Sequence, residues 1–395
     1  MKKIINDPEK RKKLIVYINP PYAEAGNQKM PMGGGDPKTG VSVHNKMKDK
    51  YQPLIGAATN ELFVQFMARI YAEIPNCKLA QFSKLKFINA QNFIRFRMFF
   101  MAECKGGFIV HADTFDNVGG KFPIAFTIWD LNRMPFTHCV ELDVPEETGT
   151  KKFWDGAALS INNWIRKFDN SRKENIGYLI CESPDFQKIH QPYLTLSTDT
   201  RQSRQFFCTD KTILFVSIYF AVRLCIEPTW LNDRDQFYFP NNDGYKTDIE
   251  FQTDCLIFTL FHGQNRISVN DGINHWIPFT EKEVGAREKF ESNFMSDFLE
   301  ERILSGEAAA VLDAGKELWK YYHASIKSKN NKTVSVSASF YDIREYFQGR
   351  KESGTMNTKS TDETYNTLLA TLRGALKTLT MKIQPKVYEY GFLKE

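Results

Sequence analysis

An apolar run, Leu14 to Ile18, ends abruptly in the sequence Asn19-Pro20-Pro21-Tyr22. A continuous apolar run of this length predicts a strand that is buried on both faces of a parallel sheet. In α/β proteins, ligands bind outside the carboxyl ends of such strands. The polar and aromatic residues that follow Ile18 are therefore candidates for a binding site.

Asn19 and Pro20 offer two hydrogen-bond acceptors at this strand end. One is the Asn19 side-chain oxygen. The other is the Pro20 carbonyl, which is held rigidly because Pro21 disfavours helical dihedral angles before it. Two convergent acceptors can bind both hydrogens of an exocyclic amine and leave its lone pair pointing outward as a nucleophile. Tyr22 can lie flat on the ring that carries the amine, and this chemistry needs no histidine or lysine base.

The segment after this strand alternates between predicted helix and strand. A glycine-rich polar loop spans residues 23–53, and a helix begins at Asn60 with apolar residues at helical spacing. Gly107 to His111 predicts a second strand, and residues 122–129 and 139–144 predict a closing hairpin. The predicted fold class is α/β, with half of a doubly wound sheet.

Three regions follow one another along the chain. Residues 1–150 form the α/β part. Residues 151–280 combine short strands, many aromatic residues and long polar loops, which predicts a mixed α+β region. Residues 281–395 are charged and predict a helical C-terminal region.

The composition is typical of a soluble globular protein, with 42% apolar and 25% charged residues. The net charge of +5 permits a polyanionic partner without requiring one. Seven scattered cysteines without a C-x-x-C pair predict reduced thiols and no metal site. The most apolar stretch, Ile213 to Ile226, contains Arg223 and is too short to cross a bilayer. We therefore expect a cytoplasmic protein with no membrane partner.

Several segments resemble adenine-specific DNA amino-methyltransferases of the gamma arrangement, which carry an N-P-P-Y signature. The segments are "KLIVYINPPYAEAG", "NELFVQFMARIYAEI" and "GGFIVHADTFDNVGGKFPIAFTIWDL". The stretches "DCLIFTLFHGQNRISVNDGINHWIPFTEKEVGAREKFESNFMSDFL" and "YDIREYFQGR…MNTKS" are similar to C-terminal regions of large bacterial restriction–modification methylases. The resemblance implies a second half of a Rossmann-like methyltransferase sheet in residues 1–150 and DNA recognition in residues 151–280.

The same resemblance implies a role for each residue of the signature. Asn19 and Pro20, followed by Pro21, would hold the target amino group, and Tyr22 would stack on a flipped-out adenine. A second aromatic side chain would cover the other face of the base. Phe115 is the first candidate for it, and Phe122 is the alternative.

The resemblance also implies S-adenosylmethionine as the methyl donor, but the expected donor motif is missing. A glycine-rich turn should precede the signature, and only 18 residues precede Asn19. Gly33-Gly34-Gly35 follows the signature, and Val311-Leu312-Asp313-Ala314-Gly315 lies in a predicted helix. We therefore expect the first strand to expose an unpaired edge. The chain would then need a separately encoded N-terminal methyltransferase half, or it would be inactive alone.

Two patches that interleave aromatic and basic residues are candidates for contacts with DNA. Their members are Trp164, Arg166, Lys167, Phe168, Arg172 and Lys173 in the first patch, and Arg201, Arg204, Phe206 and Phe207 in the second. The basic segments 327–332 and 350–351 are further candidates for phosphate contacts. Solvated helix faces have the same composition, so both interpretations stay open.

Other motifs are weaker. "GGGDPKTGVS" has Val41 where a phosphate loop requires lysine, so we reject that interpretation. Glu103-Cys104-Lys105 and Asp36-Pro37-Lys38 match part of a nuclease signature, a pattern that is common by chance. His262 and His275 could contact a substrate, although structural histidines are more common.

Two hypotheses follow from the sequence. The first is a partial DNA adenine-N6 methyltransferase from a bacterial restriction–modification system. The second is a non-catalytic DNA-binding or specificity module that was derived from such an enzyme and no longer needs Asn19 to Tyr22.

Overall fold

The computed structural model describes residues 2–21, 45–115, 120–147, 149–168, 175–197, 204–328 and 334–395. These residues form a mixed α/β structure with a six-stranded mixed sheet, a three-stranded sheet and many helices. The strands are β1 Ile15–Ile18, β2 Lys78–Lys84, β3 Glu103–His111, β4 Pro123–Asp130, β5 Cys139–Val144, β6 Gly149–Trp154, β7 Gly177–Ile180, β8 Tyr193–Thr195 and β9 Gln205–Cys208.

Helices fill the rest of the described chain. In the first region they are α1 Lys2–Ile5, α2 Pro8–Lys12, α3 Lys46–Ile55, α4 Leu62–Glu73, α5 Lys86–Asn89 and α6 Ile94–Phe99. Beyond the large sheet they are α7 Ile161–Ile165, α8 Ile213–Leu224, α9 Ile249–Phe261, α10 Glu281–Val284, α11 Phe294–Glu300, α12 Gly306–Ser328, α13 Phe340–Gln348 and α14 Glu363–Glu389.

The large sheet has the strand order β1-β2-β4-β3-β5-β6. β1 runs parallel to β2, and β4 runs antiparallel to both of its neighbours, β2 and β3. β3 pairs in parallel with β5, which forms an antiparallel pair with β6. The strands β1, β2 and β3 therefore all point their carboxyl ends toward the same edge of the sheet.

The first strand differs from the prediction in its burial. β1 forms where the apolar run predicts it, but it is not buried on both faces, because Ile15 and Tyr17 are 64% and 63% exposed. The reason is its position at the end of the sheet, where β2 is its only partner among the described strands. The predicted unpaired edge is therefore confirmed for the described residues.

Two further predictions for the sheet need correction. β2 was not predicted, because residues 78–84 mix charged and polar residues with apolar ones. Residues 122–129 and 139–144 do not form a hairpin with each other. Instead β4 forms a hairpin with β3 and inserts between β3 and β2, and β5 pairs with β3 and β6.

Helix α4 covers one face of this sheet, as its apolar spacing predicts. Phe63, Met67 and Ile70 are buried in a core that also contains Leu79 and Trp129. Phe66, which the helical spacing places with them, is 45% exposed. The core of residues 51–153 thus lies between the helices α3, α4 and α6 and one face of the sheet.

A second core extends from residue 161 to residue 393. The apolar stretch that begins at Ile213 is the buried helix α8, which packs on α9, and α14 packs on α8, α9 and α12. Arg223 of α8 is 4% exposed and donates hydrogen bonds to the backbone carbonyls of Ser183, Asp185 and His190. This buried guanidinium ties the loop after β7 to the helices.

None of the described helices has the length and apolarity that a membrane crossing requires. All seven cysteines are free thiols, as predicted.

The β3–β4 pair gives a test of the sheet at two adjacent glycines. Gly106 and Gly107 both have positive φ, at 120° and 153°. A Cβ on Gly107 would lie 2.0 Å from the Phe126 carbonyl oxygen, whereas a Cβ on Gly106 meets no atom within 4 Å. We expect Gly107→Ala to lower the free energy of unfolding by more than about 3 kcal/mol, and Gly106→Ala by about 1 kcal/mol. Urea unfolding of both variants measures the difference, and equal losses would contradict the clash.

His323 gives a test of the second core. It is 2% exposed, neither ring nitrogen has a hydrogen-bond partner, and burial lowers its pKa to about 4. Below pH 6.5 His323 is therefore protonated in the unfolded chain but stays neutral in the folded chain. The free energy of unfolding then falls by about 3 kcal/mol as the pH drops from 6.5 to 4. We expect His323→Leu to lose less stability than the wild type between pH 7 and pH 4.5, as measured by urea unfolding.

A control for this experiment lies on the same helix. Ile326 of α12 is also buried but does not titrate. Ile326→Ala should lower the stability equally at both pH values. A His323→Leu variant whose loss between the two pH values equals that of the wild type would show that His323 is not the responsible group.

Candidate functional site

The signature residues lie at the carboxyl end of β1. The four residues of β1 pair with Lys78 to Gln81 of β2, and Asn19 follows the last pair directly. Asn19 and Pro21 are exposed and Pro20 is buried. Tyr22, the fourth residue of the signature, lies outside the described residues, as do Asp36-Pro37-Lys38 and Val41.

The same edge of the sheet gathers several other side chains. β2 ends at Lys84, β3 ends at His111, and β4 begins at Pro123 on this edge. Phe115 follows β3 after a short turn. Because parallel strands place their carboxyl ends together, residues that are far apart in the sequence line one edge.

Phe115 belongs to a group of aromatic side chains on one face of the sheet, which we call the aromatic ladder. Phe82, Phe126 and Phe108 are directly opposite one another on β2, β4 and β3. The ring centroids of Phe82 and Phe115 are 5.3 Å apart in an edge-to-face arrangement, and those of Tyr17 and Phe126 are 6.2 Å apart. The members of the ladder are Tyr17, Phe82, Phe108, Phe115 and Phe126.

The two candidates for the second stacking residue differ in their surroundings. Phe115 is half-buried beside Phe82, at the carboxyl edge of the sheet. The ring of Phe122 lies under the Arg234 guanidinium, 5.2 Å from its centroid. A ring that is already covered by a cation offers one face fewer to a base. Both residues stay candidates for the second stacking residue.

A loop from the second core forms one wall of this edge. The Trp230 ring lies 5.3 Å from the His111 ring, and Arg234 lies over Phe122. Asn89 at the end of α5 donates a hydrogen bond to the Arg234 carbonyl, at 2.7 Å. We call residues 229–235 the wall loop. No motif in the sequence predicts this loop, and only its composition (a tryptophan among charged residues) could have suggested it.

The wall loop carries two buried carboxyl groups whose pKa values are raised. Burial raises the pKa of Asp233 and the pKa of Asp235 to about 6. Asp235 pairs with Lys151 of β6 at 2.5 Å, and Asp233 pairs with Arg234 at 3.1 Å. Near neutral pH this part of the site therefore holds buried negative charge beside two cations.

The residues that the sequence predicts as DNA contacts differ in their burial. Trp164 is fully buried, and its indole N–H donates to the Tyr245 hydroxyl, so its prediction as a DNA contact is wrong. Phe206, 2% exposed, is likewise a core residue. A hydrophobic stripe and a base-stacking patch look alike in sequence, and here the rings pack in the core.

The basic members of the two patches are exposed where the structure describes them. Arg166 is exposed, and Lys167 lies over the Phe239 ring at 4.4 Å. Arg204 is exposed and pairs with Glu182, which offsets its charge. Arg172, Lys173 and Arg201 lie outside the described residues.

An open polar pocket of about 590 Å³, beside β8 and α13, also combines arginine and tyrosine side chains. The Arg266 guanidinium lies 4.2 Å from the centroid of the Tyr193 ring. Arg350 donates to the Tyr341 hydroxyl at 2.7 Å and pairs with Glu345 at 2.6 Å. Of the predicted late basic segments, Arg350 therefore lines this pocket, but its charge is partly offset.

The two histidines of interest have structural contacts. His262 stacks on Phe258, and its Nδ1 accepts a hydrogen bond from the Gln264 backbone N–H. Burial and the nearby Arg344 lower the pKa of His262 to about 4. His275 Nδ1 lies 2.8 Å from the Ser292 hydroxyl. Both histidines are half-buried and far from the signature in the sequence.

The remaining described motifs lie in a strand and a helix that show no sign of a binding site. Glu103 and Lys105 pair with each other at 2.7 Å on β3. Val311 to Gly315 lies within α12, as the predicted helix requires. Within the described parts of the chain, no group of three or more histidine, cysteine or acidic side chains is arranged to hold a metal ion.

Similarity to known proteins is limited to solved structures. No family model matches the chain, and no curated protein matches it. One solved structure that it resembles is an ATP-dependent Type ISP restriction-modification enzyme, LlaBIII, bound to DNA. The TM-score is 0.23 at 11% identity, and the match covers 46% of this chain and 16% of that chain. A similarity of this size assigns neither a fold nor a function.

A substitution of Asp233 tests whether its buried negative charge lowers the stability of the folded chain. Because burial raises its pKa to about 6, ionisation of Asp233 opposes folding, and this cost is complete above pH 6 and absent below pH 3.8. We expect Asp233→Asn to raise the free energy of unfolding by about 2 kcal/mol at pH 8 and by much less at pH 4.5. Urea unfolding at the two pH values measures the gain.

The control is an exposed aspartate on a helix. Asp313→Asn makes the same change on the exposed side of α12, where we expect an effect within about 0.5 kcal/mol at pH 8. A loss of stability in Asp233→Asn at pH 8 would show that the pair with Arg234 outweighs the cost of burial.

Proposed function

We propose that this chain is part of a DNA adenine-N6 methyltransferase, and that it binds the amino group of a flipped-out adenine at Asn19 and Pro20. The observation that carries the proposal is the position of these two acceptors, directly after β1 and on the edge of the sheet that Phe115 also lines. Ligands bind at this edge in open α/β sheets.

In the proposed complex the chain's own residues orient the amine. The Asn19 side-chain oxygen and the Pro20 carbonyl accept its two hydrogens, so the nitrogen lone pair points away from the protein. Phe115 covers one face of the base and Tyr22 covers the other. The contact of Phe115 with Phe82, which packs in turn on Phe126, supports this role, because a stacking ring that is held by neighbouring rings loses little freedom on binding.

S-adenosylmethionine would supply the methyl group. The glycine-rich donor motif has no counterpart in the sequence, so we assign no donor-binding residue to this chain. We propose that the donor site lies on a polypeptide segment outside residues 1–395, in the same chain or in a second one. The parallel β1–β2 pair with α4 between its strands is consistent with half of a Rossmann-like methyltransferase sheet.

DNA is the proposed partner of the second core. Flipping a base requires that the duplex on both sides be held, and the exposed cations Arg166 and Lys167 are suited to phosphate contacts. The resemblance in sequence further supports a bacterial restriction–modification origin and a cytoplasmic location.

The test is transfer of a labelled methyl group to DNA. We expect the purified chain, mixed with the product of the reading frame directly upstream, to methylate mixed-sequence DNA. Asn19→Ala should lower the rate by about 100-fold or more, because one of the two acceptors that orient the amine is lost. Asn19→Asp is the matched control, because it keeps an acceptor oxygen and should retain part of the activity.

The outcomes separate the two functional hypotheses. Methylation that Asn19→Ala leaves unchanged would contradict the proposed role of the signature. DNA binding without methylation, with and without the upstream product, would favour the non-catalytic DNA-binding module.

A further inference from the structure

The open polar pocket beside β8 and α13 has a lining of hydroxyl, amide and charged side chains. Its volume of about 590 Å³ is in the range of pockets that bind small organic groups, roughly 300–1,000 Å³. The charged members of the lining are two cations and two carboxylates: Arg266, Arg350, Asp271 and Glu345. Because these charges cancel, the pocket favours a neutral polar group over a phosphate.

The two arginines of this pocket differ in their partners. Arg350 donates to the Tyr341 hydroxyl at 2.7 Å and pairs with Glu345 at 2.6 Å. Arg266 is exposed, and no carboxylate pairs with it among the described residues. Its Nε and Nη2 both donate to the Gln264 side-chain oxygen, at 3.2 and 2.7 Å. Arg266 is therefore the cation of the lining that is suited to bind a ligand.

The donors that Arg266 keeps lie side by side. A guanidinium carries five N–H donors in a rigid plane. Gln264 accepts from the edge formed by Nε and Nη2, so the end formed by Nη1 and Nη2 still offers two parallel donors. Guanine presents two adjacent acceptors, O6 and N7, in the major groove of DNA, and the other three bases do not. The free end of Arg266 matches this pair of acceptors.

Neighbouring groups fix the position of Arg266 before any ligand binds. Its guanidinium lies 4.2 Å from the centroid of the Tyr193 ring. Its backbone N–H donates to the Leu194 carbonyl of β8 at 2.9 Å, and the Leu194 N–H donates to the Gln264 carbonyl at 3.1 Å. The Gln264 side-chain amide also donates to the Gln191 side-chain oxygen at 3.1 Å. An arginine that is held in this way loses little freedom on binding.

We propose that Arg266 donates to the O6 and N7 atoms of one guanine in duplex DNA, and that this contact sets part of the sequence specificity of the chain. The inference rests on the proposed function, because both take DNA as the partner. Adenine has an amino group in place of O6, so its N–H donor would face a donor of Arg266. A mismatch of this kind weakens binding by about 10-fold or more.

A phosphate contact is the alternative role for an exposed arginine. The exposed carboxylate Asp271 lines the same pocket and would repel a phosphate group. It would not repel a G·C pair, because the cytosine amino group of that pair is a donor in the major groove. The lining therefore favours a base pair over the DNA backbone as the ligand of Arg266.

The test begins with selection of binding sites by the purified chain from duplexes of random sequence. We expect the selected sites to share a guanine whose replacement by 7-deazaguanine, which has C–H in place of N7, weakens binding about 10-fold in fluorescence anisotropy. Arg266→Lys keeps the charge but loses the planar fork, so this difference should largely disappear. Arg373→Lys makes the same change on the exposed side of α14 and should keep the wild-type preference.

A phosphate contact predicts a different result. Arg266→Lys would then select the same sites and respond to 7-deazaguanine as the wild type does, which would overturn the proposal. Selected sites that share no guanine would overturn it as well. Guanosine monophosphate tests the other source of the same base by isothermal titration calorimetry. If it binds the wild type but not Arg266→Lys, and DNA shows no guanine preference, the pocket binds a free nucleotide and the proposal is wrong.

Failure of this proposal can be distinguished from failure of the proposed function. Binding to DNA is measured without a methyl donor, and Asn19→Ala should keep the guanine preference because Asn19 does not line the pocket. A guanine preference that depends on Arg266, without any methylation, would retain the pocket and reject the enzyme. Methylation of the same sites by Arg266→Lys and the wild type would retain the enzyme and reject the pocket. A chain that binds no DNA would reject both.

Discussion

Backbone hydrogen bonds between β1 and β2 hold the signature residues at the edge of the sheet. β1 has four residues and, in the described structure, a partner on one side only. Each such hydrogen bond contributes about 1 kcal/mol, so the strand is held by few interactions of its own. The position of Asn19 and Pro20 therefore depends on β2, and β2 depends in turn on its antiparallel pairing with β4 over seven residues.

The sheet and the second core are also joined by polar contacts. The Gln91 side chain donates to the carbonyls of Gly156 and Ala158, and Lys151 pairs with Asp235 in the wall loop. Gly156 fits tightly here, because a Cβ at this position would lie 2.2 Å from the Asn89 carbonyl oxygen. The pair between Lys151 and Asp235 holds the wall loop against β6, and the Gln91 contacts hold residues 156–158 against the helices of the first core.

The sequence predicted the strand end at Asn19 correctly, because an apolar run before two prolines is a local signal. It predicted α4 and the α12 helix for the same reason. β2 escaped prediction because Gln81 and Ser83 are polar yet buried, which breaks the pattern that a strand normally shows. Trp164 was assigned wrongly to DNA because its burial depends on Tyr245 and Phe392, which are distant in the sequence. The wall loop could not be predicted, since only the fold brings Trp230 to His111.

The contact between Trp230 and His111 has a consequence for how binding and folding are linked. Trp230 comes from the chain segment that follows the buried helix α8, yet it packs against the core of the sheet. If the second core unfolds locally, Trp230 loses its position beside His111 and the site loses one wall. A ligand that contacts this wall binds only the state in which both cores are folded, so it adds its binding free energy to the stability of helices that it never touches. Occupancy at the sheet edge should then be visible as slower amide exchange in distant α8 and α14.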